Sequence, residues 1–157
     1  MQPGRHEARS LSVQGNAEIY SKYRYELLRY ATALVGPSHA DDVVSTVVLK
    51  TIRRRSLDEL ENPRGYLLKG ILNEARGWSR RQNHTRVPHM IERTTPPDLG
   101  EVVDAVRRLS VQQRAATYLH YWESVPVVEI AEIMGIGVGT VKRYLFLARR
   151  HLKGALR

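Results

Sequence analysis

The sequence predicts an all-α protein made of two small helical domains joined by a flexible linker, and three observations carry that expectation. Apolar residues recur three or four apart over 17–82 and again over 99–157, which is the period of a helix with one buried face. The stretch between them, residues 83–98, reads NHTRVPHMIERTTPPD, with three prolines and no period. No segment alternates polar and apolar residues as a half-buried strand would.

Residues 1–16 mix Pro, Gly, Ser, Gln and charges without periodicity, which predicts a flexible N-terminal arm. From Ala17 the positions Tyr20, Tyr23, Leu27, Ala31, Leu34 and Val35 line one face of a helix that Gly36-Pro37 ends. Ser38 is placed to cap the next helix, with Asp41 and Asp42 near its positive end. Val43, Val44, Val47, Val48, Thr51 and Ile52 are its apolar stripe; the residues are β-branched, but the spacing is helical. Leu57 to Glu61 form a short connection, and Asn62-Pro63 pair a cap with a proline at the first helical position. The third helix runs to about Gln82 on the stripe Tyr66, Leu67, Gly70, Ile71, Ala75 and Trp78, closing a first domain over 17–82. After the linker, 99–157 holds a helix carrying Leu99, Val102, Val103, Val106 and Leu109, then helices over Val111 to Tyr121, Val127 to Met134 and Val138 to about Leu156.

Composition narrows the function. The 157 residues carry 25 Lys plus Arg against 16 Asp plus Glu, a net charge of +9 that favours a polyanionic partner, nucleic acid first. No apolar run reaches the roughly 20 residues of a membrane span, and charges at Arg5, Glu7 and Arg9 interrupt any secretory signal, so a cytoplasmic protein is expected. Without cysteine there is no disulfide, thiolate zinc site or Cys nucleophile. The histidines at 6, 39, 84, 89, 120 and 151 never fall on one helix face at ligand spacing, and Gly135, Gly137 and Gly139 lack the preceding strand of a dinucleotide site. Neither a metal, a cofactor nor a catalytic residue is expected.

Two constellations suit DNA. In VVEIAEIMGIGVGTVKRYLFL, from Val127 to Leu147, Val128, Ile130, Ala131 and Ile133 pack a short helix, and Gly135-Ile136-Gly137 make a tight turn. Val141, Leu145 and Ala148 pack the next helix, leaving Gly139, Thr140, Lys142, Arg143 and Phe146 outward. This is the division of faces in a helix-turn-helix, where the packed side fixes orientation and the free side reaches base edges. On the third helix, Lys69, Asn73, Arg76 and Arg80 recur at four, three and four, making a basic face opposite the apolar stripe. Tyr66 and Trp78 beside that face can fill the core or stack an unpaired base.

The order of these parts resembles an extracytoplasmic-function (group 4) sigma factor of the bacterial sigma-70 family. The segments ADDVVSTVVLKTIR and NPRGYLLKGILNEARGWSRR are similar to region 2, and LSVQQRAATYLHYWESVPVVEIAEIMGIGVGTVK is similar to region 4. The resemblance implies a dissociable initiation subunit that catalyses nothing and works with bacterial core RNA polymerase and promoter DNA. In that reading Asp42, Ser45, Thr46, Val48, Leu49 and Arg53 meet core polymerase. The loop Leu57 to Asn62 captures a flipped base of the −10 element, with Asn62, Arg64, Lys69, Asn73, Arg76 and Arg80 near the strand. Thr140, Lys142, Arg143 and Phe146 read the −35 element, with His120 on a phosphate. An anti-sigma factor is a further implied partner. Ser45-Thr46 stand where the family usually has larger polar residues such as Gln-Glu. Two alternatives share the pattern: a helix-turn-helix regulator that does not bind core polymerase, and a protein-interaction module docking through its first two helices.

Overall fold

The computed structural model describes residues 4–84 and 104–155, and among these every regular element is helical. Helix α1 spans Gly4–Val35, α2 Pro37–Ile52, a 3-10 turn Leu57–Glu59, and α3 Pro63–His84. Then follow α4 (Val111–Tyr121), α5 (Val127–Met134) and α6 (Val138–Ala155). The expected linker lies outside the described residues except for 83 and 84, which α3 takes in. Of the helix expected from Leu99, only 104–107 are described as helical. By backbone contacts the described residues divide into two compact units between Glu74 and Ala75, inside α3.

The first unit departs from expectation at its start. Residues 4–16, expected as a flexible arm, are helical; they show no apolar period, and the contacts made by Ser12 and Asn16 are polar. Ser12 Oγ donates to Ser56 Oγ at 3.0 Å, and Asn16 Oδ1 accepts from Ser56 Oγ at 2.9 Å and from the Leu57 backbone N–H at 2.6 Å. The break between α1 and α2 stands as expected. Gly36 takes φ 85°, which L side chains rarely adopt, its N–H closes onto Thr32 O, and Pro37 begins α2. Ser38 is therefore already inside the helix and does not cap it, and Asp41 and Asp42 sit in the second turn, exposed.

The core of this unit is drawn from one face of each helix: Leu27, Tyr30, Ala31 and Leu34; Ala40, Val43, Val44 and Val47; Leu67, Leu68, Ile71 and Leu72; and Leu57 from the turn between. A methyl on Gly70 would meet Val47 Cγ1 at 2.7 Å, so the absence of a side chain lets α3 lie close on α2. Lys50 and Glu74 join the same two helices by an ion pair of 3.0 Å. Tyr66, expected on the apolar stripe, is 42% exposed. Asn62 caps α3 as expected, its Oδ1 accepting the Gly65 N–H at 2.9 Å.

In the second unit Leu109, Val111, Ala115, Ala116 and Leu119 pack with Ile130, Ala131, Ile133 and Met134, and with Val141, Leu145 and Ala148. Helix α4 opens on a capping box: Ser110 Oγ accepts the Gln113 N–H and Gln113 Oε1 accepts the Ser110 N–H. Val128, expected in the packing, is 61% exposed on the outer side of α5.

Candidate nucleic-acid interface

Helix α6 is held in place before it can present anything. After α5, Gly135 adopts the left-handed conformation (φ 66°, ψ 36°), and the chain turns back: Gly135 N–H donates to Glu132 O and Ile136 N–H to Ala131 O at 3.0 Å. Gly137 O then accepts from both Thr140 and Val141 N–H at 3.1 Å, which starts α6. This is the helix-turn-helix expected from the sequence, with α6 packed through Val141, Leu145 and Ala148.

The opposite face is free. Thr140, Lys142 and Arg143 are exposed, and Phe146 shows 54% of its surface one turn further on. Arg149, Arg150 and Lys153 continue the positive charge along the exposed surface of α6, and α6 carries no acidic residue. An apolar ring among cations on the outer face of a helix suits base edges and thymine methyls flanked by phosphates. His120 is half-buried with its Nδ1 buried and without a hydrogen-bond partner, so any phosphate contact it makes must come from Nε2. Its neighbours on the same face of α4 are Arg114, whose burial pushes its pKa down, and Thr117, also buried.

On α3 the structure separates the expected residues. Lys69, Asn73 and Arg80 are exposed and Arg76 is half-buried on the polar face that their four-three-four spacing creates. Arg64 lies elsewhere: its Nε donates to Glu26 Oε1 at 2.8 Å and its Nη2 reaches the same oxygen. Both side chains are mostly buried, so this cation bolts α3 to α1 and is already neutralised. The Asn62 oxygen is occupied by its cap, which leaves the amide N–H groups for any other partner. Tyr66, at the start of α3 and open to solvent, offers the ring face that the sequence pattern places equally well in the core.

Helix α2 presents a different surface. Asp42, Ser45, Leu49 and Arg53 are exposed and Thr46 and Val48 half-buried; Leu49 is 48% exposed in the middle of a polar rim, with Ile52 one turn on. An apolar centre inside a polar rim is the layout of a protein-docking patch. No three His, Asp or Glu side chains stand together as a metal would need, and no helix is long and apolar enough to cross a membrane, both among the described residues.

Comparison with known proteins agrees with this geometry. The family description "Sigma-70, region 4" matches residues 99–152, which include the whole helix-turn-helix. The RNA polymerase sigma-E factor of Streptomyces coelicolor is 28% identical over 150 residues, covering 88% of this chain and 85% of that protein. The ECF RNA polymerase sigma factor SigL of Mycobacterium tuberculosis is 27% identical over 150 residues, covering 86% and 85%. Among solved structures, the sigma factor RpoE of Bartonella quintana, determined with the anti-sigma factor NepR, superposes with a TM-score of 0.70 at 22% identity, covering 89% of this chain and 95% of that one. With a region 4 match over 99–152, relatives aligned along most of its length and a shared helical architecture, the chain is similar to the extracytoplasmic-function RNA polymerase sigma factors.

Proposed function

We propose that the chain is a dissociable initiation subunit that brings core RNA polymerase to promoters, opens them and catalyses no reaction itself, working in the cytoplasm. The observation that carries this reading is the free face of α6, where Thr140, Lys142, Arg143 and Phe146 stand on a helix fixed by its opposite side. In this role the domain over 99–157 reads the −35 element through these residues, with His120 on the backbone. The domain over 17–82 uses the α2 patch, Asp42, Ser45, Thr46, Val48, Leu49 and Arg53, to dock on core enzyme. Lys69, Asn73, Arg76 and Arg80 hold the separated −10 strand, Asn62 contributes its amide, and Arg64 acts by fixing α3. The chemistry fits melting: cations and an open aromatic hold a single strand, whereas a duplex keeps its base faces covered. An anti-sigma factor is the proposed repressing partner, in keeping with the Bartonella neighbour's complex.

The test is co-elution of the purified chain with bacterial core polymerase, followed by mapping of transcript starts on a fragmented genomic template. Discrete new starts support the proposal and give the promoter sequence. DNA binding without core binding makes the chain a helix-turn-helix regulator, and Ser45-Thr46 the place where the docking patch fails. Binding to a protein partner without salt-steep DNA affinity makes it an interaction module.

A further inference from the structure

The loop between α2 and α3 has a support that the family resemblance does not supply. Its 3-10 turn begins at Leu57, and the residue in the capping position, Ser56, makes no side-chain cap. The cap comes from α1. Asn16 Oδ1 accepts the Leu57 N–H at 2.6 Å from 41 residues away, and the same oxygen takes the Ser56 hydroxyl at 2.9 Å. Ser12 Oγ completes the chain by donating to Ser56 Oγ at 3.0 Å. One position earlier on α1 there is no side chain, and the space is filled: a methyl on Gly15 would lie 2.6 Å from Asp58 Oδ2 and 3.5 Å from Asp58 Cβ. Leu57 and Ser56 are buried under this contact. The far end of the loop is fixed separately by Asn62 on Gly65.

Electrostatics explains why such a loop needs holding. Asp58, Glu59 and Glu61 are all exposed and Ser56 to Asn62 carry no cation, the exposed Arg53, Arg54 and Arg55 standing just before them, so the acidic tip of the loop is the part that a nucleic-acid backbone repels. A base can enter beside it only if the loop keeps its shape against that repulsion. We propose that the N-terminal part of α1 is the seat of this loop, with Asn16, Ser12 and Gly15 acting as positioning residues that hold the segment Leu57–Asn62 in the form that receives the unpaired −10 base. The inference rests on the sigma-factor reading and adds to it a part for residues 12–16.

The experiment uses the full chain with core polymerase on a promoter obtained by start-site mapping, together with versions of that promoter altered at single −10 positions. Asn16→Leu keeps the size of the side chain and removes the acceptor. Gly15→Ala favours the helix yet pushes on Asp58. Both variants are expected to co-elute with core and to bind the −35 duplex as the parent does. Asn16→Leu should lower permanganate-detected opening about tenfold, the weight of one buried N–H left unpaired. It should also flatten discrimination among the −10 variants, and Gly15→Ala should do the same without a lower Tm. A purely structural role scales opening on every promoter alike, together with core binding and −35 binding, and that result overturns the proposal. So does full opening with unchanged discrimination in folded Asn16→Leu. A parent chain that binds no core and opens no promoter removes the underlying reading, and the seat with it.

Discussion

Gly70 and Val47 meet where α3 crosses α2, with room for a hydrogen on Gly70 and not for a methyl, which would lie 2.7 Å from Val47 Cγ1. Val47 is buried and β-branched, with little freedom to turn aside. Gly70→Ala should therefore destabilise the first unit by about 1–3 kcal/mol despite the better helix propensity of alanine. Chemical denaturation checks this. Adding Val47→Ala should restore part of the loss, because the smaller side chain opens the space that the new methyl needs.

Lys142 and Arg143 are exposed on a helix whose stability comes from Val141, Leu145 and Ala148. Replacing both by alanine should weaken binding to a −35-containing duplex by about 1–3 kcal/mol for each base contact removed. The dependence of affinity on salt should become shallower by about one for each phosphate no longer neutralised. Core-polymerase binding and Tm should stay as they were. Titration at several salt concentrations reads both effects, and an equal drop in core binding would sink the division of roles between the two domains.

Asn73→Ala with Arg76→Ala removes two groups from the polar face of α3 without touching its packed residues. Promoter opening should fall more than duplex binding does. Permanganate reactivity of the bubble measures the first and gel retardation the second; unchanged reactivity would refute the strand-holding role of this face.

Arg64 makes the opposite prediction. Its partner is Glu26, and both side chains are mostly removed from water. Arg64→Met leaves the carboxylate unpaired and should lower stability by about 2 kcal/mol. Arg64→Met with Glu26→Leu should recover most of that. If the single variant melts like the parent but opens promoters poorly, the side chain contacts DNA after all.

Tyr30 is fully buried in the first core, and desolvation pushes its hydroxyl pKa far above the ordinary tyrosine value of 10.0. The folded chain thus keeps this proton where the unfolded chain releases it. Its contribution to stability is complete below pH 10 and is lost as the pH rises beyond that value. Stability measured from pH 8 to 11 should fall less steeply in Tyr30→Phe than in the parent.

Helices held by apolar stripes were legible in the sequence. The bounds of α4 and α5 follow from periodicity and turn chemistry alone, because burial there comes from neighbouring segments. What escaped the sequence depends on partners far along the chain. The start of α1 carries no apolar period, since Ser12 and Asn16 are satisfied by residues 40 or more positions away. Arg64 reads as one more cation on a basic helix until Glu26, 38 residues earlier, is found beside it. Tyr66 and Val128 fit the stripes by spacing but sit at helix starts, where one side of the helix has nothing above it.

Helix α6 draws its anchorage from three small or aliphatic side chains and its outward character from four others, with no residue shared between the sets. Changes at Thr140, Lys142, Arg143 or Phe146 therefore leave the packing of α6 untouched, so its outward chemistry can vary without cost to the scaffold that carries it.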